Sequence, residues 1–171
     1  MARKTKSAGK VRQAKSYARA SFGTLKGWKT LVVESDKLSV TVLPEYGGWI
    51  LSCFYKPRNV ELLQSSPRGL LAKDDPPVVS DPLFAYRDRS PGGWPELFPH
   101  GSGPTEAYGA KLPFHGEVVN RQWRAEIARA RGGEAVAKMS VDCHLMPLRL
   151  ERTLRVAAGS ASFILEETAN N

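Results

Sequence analysis

Residues 134–157, EAVAKMSVDCHLMPLRLERTLRVA, decide the fold class of this chain. Apolar and polar residues alternate through Glu134–Leu145 and again through Leu148–Ala157, and Met146-Pro147 separates the two runs. A two-residue alternation is the pattern of a β-strand with one buried face, and a proline at the break marks a turn. The stretch therefore predicts two antiparallel strands of about ten residues each.

Further strand-like runs lie on both sides of this pair. Gln122–Ala130 precedes it and Ser162–Thr168 follows it, and three more runs lie nearer the N-terminus, at Thr30–Val33, Leu38–Leu43 and Trp49–Tyr55. Residues 30–171 contain no long segment with the 3.6-residue repeat of an amphipathic helix. We therefore predict an all-β domain in which antiparallel sheets bury their apolar faces as a β-sandwich.

The last run, Ser162–Thr168, is followed only by Ala169-Asn170-Asn171. An antiparallel sheet that ends there keeps an unpaired edge, which natural sheets usually blunt or cover. We therefore expect the sandwich to be truncated, and we expect self-association through this edge.

Composition excludes several classes of protein. Of the 171 residues, 42% are hydrophobic and 25% are charged, as in soluble globular domains. No apolar run approaches the ~18 residues of a membrane-spanning helix, and no secretory signal is present. The two cysteines, Cys53 and Cys143, lie far apart, which excludes a disulfide scaffold and a cysteine-based zinc site. These features predict a cytoplasmic protein without a membrane partner.

The excess of positive over negative charge comes from the N-terminal segment. Residues 1–29 hold nine of the 25 Lys and Arg and no acid, so residues 30–171 carry 16 basic and 17 acidic groups. Because the segment has few large apolar side chains, we predict a disordered basic leader over 1–29 and one domain over 30–171. The leader suits a solvated extension, organelle targeting, or weak and salt-sensitive binding of nucleic acid.

The chemistry-bearing residues lie in a Pro- and Gly-rich part of the chain. The stretch between Ser65 and Leu112 lacks strand periodicity but is rich in aromatic residues, which predicts an ordered functional loop. Residues 90–123 include the histidine between Phe114 and Gly116, the carboxylates of Glu96 and Glu117, and several aromatic rings. Aromatic faces and carboxylates hold sugars, and imidazole exchanges protons near neutral pH. By residue type alone, a lone histidine in the setting of His115 is more often a structural residue.

The order of three blocks carries a family resemblance. Gly47–Ser52 (GGWILS), Gly92–Pro99 (GGWPELFP) and Leu112–Glu117 (LPFHGE) resemble the N-terminal half of the galactose mutarotase-like (aldose 1-epimerase) family. The resemblance runs from about Leu31 to the end of the chain. It implies a two-sheet β-sandwich whose concave face binds a sugar. It also implies interconversion of the α and β anomers by ring opening, with no metal or other cofactor.

The same resemblance assigns roles to individual residues. It implies that His115 is catalytic and contacts the ring oxygen of the sugar. It further implies sugar contacts for Arg87, Trp94 and Glu96, with core packing of Trp94 and a turn or capping role of Glu96 as equal alternatives. We assign no chemistry to three other residues: Glu117, taken as structural, His100, and His144, which is predicted to lie in a strand.

Two departures from the family pattern limit the expected activity. Pro91 and Val119 stand where relatives that act on sugar phosphates have arginines, which favours a neutral aldose. The second histidine and the carboxylate base of the family have no counterpart in this chain. We therefore expect an aldose 1-epimerase-like chain that is inactive by itself. The alternatives are a non-catalytic carbohydrate-binding module and, with less support, a basic adapter for nucleic acid.

Overall fold

The structure is a computed structural model, and it describes residues 15–76, 86, 89–128 and 133–171. Its regular elements are strands joined by turns, with 3₁₀ turns at Lys56–Arg58 and Val118–Asn120. The strands are β1 (Ala18–Leu25), β2 (Trp28–Ser35), β3 (Leu38–Leu43), β4 (Trp49–Tyr55), β5 (Val60–Glu61), β6 (Thr105–Ala107), β7 (Ala110–Leu112), β8 (Arg124–Ala128), β9 (Glu134–Asp142), β10 (Arg149–Ala157) and β11 (Ile164–Asn170). Within the described ranges, no helix has the length and apolar content needed to cross a bilayer.

Two antiparallel sheets form the domain. Sheet 1 has the order β1-β2-β3-β4-β5, sheet 2 has the order β11-β10-β9-β8, and β6 and β7 form a separate hairpin. Apolar residues of both sheets meet in one core, in which Leu31 and Val40 of sheet 1 join Ala137 and Leu154 of sheet 2. The all-β antiparallel sandwich predicted from the alternating pattern is therefore confirmed.

The β9–β10 pair has the predicted alternation but shorter strands. Every second residue of β9, from Ala135 to Val141, is buried. The strands stop at Asp142 and restart at Arg149, and one more main-chain hydrogen bond, from the Cys143 N–H to Leu148 O at 2.8 Å, closes the connection. In that connection the main-chain N–H of His144 donates to Glu117 Oε2 at 2.6 Å instead of to a neighbouring strand. The prediction that His144 lies in a strand is therefore wrong.

Ordered structure begins before residue 30. Strand β1 pairs with β2 along its whole length. Lys26 and Gly27 join the two strands, and both have the positive φ, 50° and 82°, that a tight two-residue hairpin turn requires. Ala18 and Ala20 pack against the core. The prediction of a disordered leader over 1–29 is therefore wrong for β1 and its turn, and residues 1–14 lie outside the described part of the chain.

The structure has the sheet edge that the sequence predicts at Ser162–Thr168. Strand β11 pairs on one side with β10 and is the outermost strand of sheet 2. Its first residue, Ile164, is 56% exposed. Self-association through this edge stays a prediction.

The described parts of the long connection between β5 and β8 pack over one end of sheet 1. A second apolar cluster forms there, with Trp28, Trp49 and Val119 at its centre and Tyr86 and Leu97 beside it. Isolated bridges also join the connection to the sheet and to itself, Ile50 to Trp94 and Ser65 to Gly92. This packing places the GGWPELFP and LPFHGE blocks next to each other.

Candidate functional site

His115 occupies an unusual backbone conformation on the turn that follows β7. Its φ is +64°, a value that few residues other than glycine adopt. The main-chain N–H donates to Ser102 O at 2.9 Å, and ring Nδ1 lies 2.9 Å from Gly101 O. Because a carbonyl oxygen only accepts, Nδ1 carries the hydrogen. The neutral ring therefore has its lone pair at Nε2, and the imidazolium has a donor there.

Aromatic rings surround the imidazole. Tyr86 meets it edge-on with ring centres 4.6 Å apart, and Phe114 lies 3.8 Å away. Tyr86 in turn stacks on Trp49 of β4 at 5.4 Å. Burial raises the pKa of the Tyr86 phenol, which keeps it protonated at neutral pH. The half-buried His115 thus sits in an aromatic wall that rests on sheet 1.

The carbonyl group of Phe98 holds the turn that carries His115. Its oxygen accepts hydrogen bonds from the main-chain N–H groups of Glu117 at 3.0 Å and Val118 at 3.3 Å. Gly116 has φ +76°, and a Cβ there would lie 2.2 Å from the Phe98 oxygen. Only glycine fits this approach, so the His-Gly pair fixes the imidazole against the GGWPELFP block.

Trp94 lies where that block meets β4. Its main chain exchanges two hydrogen bonds with Ile50, of 2.8 and 2.9 Å. The preceding Gly93 allows this approach, since a Cβ there would lie 2.5 Å from Ile50 O. The indole is 46% exposed and faces the Phe163 ring at 6.4 Å. One indole surface is therefore accessible to a ligand.

Glu96 is held in an ion pair with a buried arginine. Arg152 Nη2 donates to Glu96 Oε2 at 2.6 Å. The same guanidinium donates from Nη1 to Gly48 O at 2.6 Å and from Nε to Glu167 Oε1 at 2.7 Å. It also lies 4.8 Å from the centre of the Trp123 ring. This contact differs from the turn or capping role considered for Glu96.

The electrostatics of the cluster are asymmetric, because one guanidinium faces two carboxylates. Burial raises the pKa of Glu96, the charge of Glu167 raises it further, and Arg152 opposes both effects. Glu96 is therefore protonated more readily than an ordinary glutamate.

The predicted site residues form two groups. Within the described residues, no hydrogen bond or ring contact joins His115 directly to Trp94 or Glu96. The segment 94–102 links them, since it contains both residues and the carbonyl groups that hold His115. Arg87 lies outside the described residues, so its sugar contact stays a prediction. No cluster of three or more potential metal ligands occurs in the described part of the chain.

Sequence reasoning missed Arg152 and Glu167. A signal was present, because the buried register of β10 runs Leu150, Arg152, Leu154 and Val156. A single arginine at an otherwise apolar buried register requires a partner, since an unpaired charge is rarely buried. This pattern identifies Arg152 as part of an internal ion pair.

Glu117 has the structural role predicted for it. Its buried carboxylate accepts the main-chain N–H groups of His144, Leu145 and Met146 at 2.6 to 3.3 Å. These hydrogen bonds satisfy the connection between β9 and β10, which has no strand partner. Glu117 therefore fixes the turn that follows His115. Both of its carboxylate oxygens accept main-chain hydrogen bonds, so neither is available to the imidazole.

A separate groove of about 500 Å³ lies on the outer face of sheet 2. Its lining comes from β8, β9 and β10 and includes the outward side chains of Arg124, Lys138 and Glu151 and also the buried Arg152. None of the residues predicted for the sugar site lines it. The groove therefore adjoins Arg152 but does not include His115.

Comparison with known proteins supports the fold. The sequence matches no profile of a known protein family, and it matches no curated protein. The structure is similar to the crystal structure of a galactose mutarotase-like protein from Clostridium acetobutylicum, with a TM-score of 0.60 and 14% sequence identity. The match covers 90% of this chain and 48% of the other, so the chain spans about half the length of that protein. The architecture is a galactose mutarotase-like β-sandwich.

Proposed function

We propose that this chain binds a neutral aldose at His115 and belongs to a protein that interconverts the α and β anomers of that sugar. One observation carries the proposal. The His115 ring is anchored at Nδ1 by Gly101 O, 2.9 Å away, on a turn in the left-handed conformation. This arrangement leaves Nε2 as the ring nitrogen that can exchange a hydrogen bond or a proton with a ligand oxygen.

The chemistry of anomer exchange fits an imidazole held in this way. As the bond between C1 and the ring oxygen breaks, the imidazolium gives its Nε2 proton to that oxygen, and a base takes the proton of the anomeric hydroxyl. Rotation about C1–C2 and the reverse transfers then close the ring with the other configuration. The Gly101 carbonyl keeps the ring oriented through the Nδ1–H hydrogen bond.

We assign no residue of this chain as the base. Glu96, the carboxylate of the GGWPELFP block, is held by Arg152 at 2.6 Å and is not free to take the anomeric proton. A general base typically contributes about 10²–10⁴-fold to the rate. The chain by itself should therefore bind sugar weakly and not accelerate anomer exchange.

Other residues that the resemblance assigns or compares support a neutral sugar. The exposed Trp94 indole suits the C–H face of a pyranose. Val119 and Pro91 are buried apolar residues where a phosphate site needs guanidinium groups. Arg87 is proposed as a further hydroxyl contact. The ligand favoured by this set is an uncharged aldose.

A non-catalytic carbohydrate-binding module is the second candidate. It is favoured by the ion pair that occupies Glu96, because the chain then offers an imidazole and aromatic surfaces without a free carboxylate. In this case, His115 only hydrogen-bonds the sugar.

Two measurements test the proposal. Galactose and glucose, each up to about 100 mM, should raise the melting temperature of the wild type and of a His144→Ala control, but not of His115→Ala. An equal rise in His115→Ala, or no rise in the wild type, would reject the site. Polarimetry of freshly dissolved α-galactose then separates the candidates in a longer protein that contains this chain, because acceleration above buffer supports the epimerase and binding alone supports the module.

A further inference from the structure

We infer that Arg152 is a positioning residue for His115, acting through Glu96 and the segment 94–102. The functional meaning of this inference rests on the proposed role of His115. The contacts that support it do not depend on any sugar, so the two ideas can fail separately.

The contacts of Arg152 hold its side chain rigidly. Its side chain is 2% exposed, and its three nitrogens donate to three different groups: Glu167 Oε1, Gly48 O and Glu96 Oε2. The guanidinium also lies over the Trp123 ring. The guanidinium is planar, and hydrogen bonds from all three of its nitrogens fix its orientation. It therefore holds each of its three acceptors in one place.

The segment that contains Glu96 is attached to the sandwich at two points. Trp94 binds sheet 1 through its paired hydrogen bonds to Ile50 of β4. Two residues later, Glu96 binds sheet 2 through Arg152 of β10. The segment is therefore tied to both layers of the sandwich, and without Arg152 only the sheet 1 attachment remains among these contacts.

The position of His115 depends on the segment 94–102. Phe98 O accepts the Glu117 N–H at 3.0 Å, Ser102 O accepts the His115 N–H at 2.9 Å, and Gly101 O accepts from Nδ1 at 2.9 Å. All three acceptors lie within six residues of Glu96 in the chain. A shift of the segment moves the acceptors and, with them, the direction in which Nε2 points.

A positioning role of Arg152 and a purely structural role have different effects on the His115 imidazole. A structural role alone lowers stability and leaves the imidazole of the folded molecule unchanged. A positioning role changes the hydrogen bond at Nδ1 in molecules that are still folded. A misplacement of about 1 Å at a reacting group costs up to about 100-fold in rate.

The experiment follows the His115 imidazole by NMR in the full chain. Glu96→Ala removes the acceptor of the Arg152 hydrogen bond, and Arg152→Lys keeps the charge but loses the fork. The matched control is Glu166→Gln on β11, which pairs with Arg155 at the exposed face. Both test variants should shift the His115 ring nitrogen resonances and lower the population of the Nδ1–H form, whereas the control should superimpose on the wild type.

The outcomes are decisive even if one variant is unstable. If Arg152→Lys fails to fold, Glu96→Ala and Glu167→Gln carry the test. Glu167→Gln keeps the link between Glu96 and Arg152, so its His115 signals should stay closer to those of the wild type. His115 resonances identical to the wild type in folded Glu96→Ala would overturn the inference. If the resonances shift but no sugar binds to the wild type, positioning stands and the proposed function fails.

Discussion

Arg152 Nη2 donates a hydrogen bond to Glu96 Oε2 over 2.6 Å and so joins β10 of sheet 2 to the segment 94–102, whose carbonyl groups hold His115. The two residues are 56 positions apart in the chain. The same guanidinium binds Glu167 on the neighbouring strand, so one buried cation holds two carboxylates. This cluster connects the packing of the sandwich to the geometry of the candidate site.

Removing the buried cation should strongly destabilise the fold. In Arg152→Met, Glu96 and Glu167 lose their shared partner, and breaking a buried pair typically costs about 3–5 kcal/mol. Arg155→Met is the matched control on the same strand, where the pair with Glu166 is exposed and worth at most about 1 kcal/mol. Urea unfolding followed by tryptophan fluorescence measures both losses. Equal losses would show that the buried cluster contributes no more than a surface pair.

The raised pKa of Glu96 gives stability a definite pH dependence. The unfolded chain has the ordinary value of 4.5 and the native state a higher one, so between the two the native state binds more protons. The contribution of Glu96 is therefore fully present below the unfolded pKa and is lost as the pH rises through the native pKa. Glu96→Gln removes this contribution, so the wild type should lose stability relative to the variant as the pH is raised from 4 to about 7. The opposite trend would mean that Arg152 outweighs burial at this carboxyl.

Gly116 should tolerate no side chain. Gly116→Ala places a Cβ 2.2 Å from Phe98 O at φ +76°, whereas Gly109→Ala has nearly the same φ, +77°, with nothing within 4 Å of its Cβ. The control should lose about 1–2 kcal/mol from backbone conformation alone. Gly116→Ala should lose clearly more, because main chain must move. Thermal unfolding compares the two, and equal losses would contradict the close approach at Phe98.

Cys143 should be unreactive in the native protein. Burial raises its pKa to about 12, and the charge of Glu117 adds to this effect. The thiolate is the reactive species, so in a Cys53→Ser background iodoacetamide at pH 8.5 should alkylate the native chain at least about 100-fold more slowly than the unfolded chain. Mass spectrometry gives both rates. A native rate within about tenfold of the unfolded rate would show an accessible thiolate.

The fold was predictable wherever each strand has its own local pattern. The alternation of β9 and β10 is visible in the sequence because each buries every second side chain. Strand β1 escaped prediction because its core-facing residues are Ala18 and Ala20, and two alanines produce little hydrophobic signal. The Lys26-Gly27 turn also lacks the Asn-Gly or Asp-Gly pair that usually identifies such hairpins.

The site was predictable only in part for a related reason. His115 and the glycine beside it lie in one short block, so a local motif identifies them. The anchoring of Glu96 depends on Arg152, whose position relative to the loop is set by the stacking of the sheets and by no local spacing. The β10 pattern shows that Arg152 needs a partner, but the identity of that partner becomes visible only when the chain is folded.

Imidazole NMR during a sugar titration reports whether Nε2 of His115 meets a sugar oxygen, because the signal comes from that nitrogen. Selectively ¹⁵N-histidine-labelled chain is titrated with galactose and with glucose, and with sorbitol as an acyclic control. We expect a saturable shift of the His115 Nε2 resonance with at least one aldose, while His144 and the sorbitol series stay unchanged. An invariant His115 signal, while resonances elsewhere report binding of the sugar, would show that the sugar binds away from this imidazole.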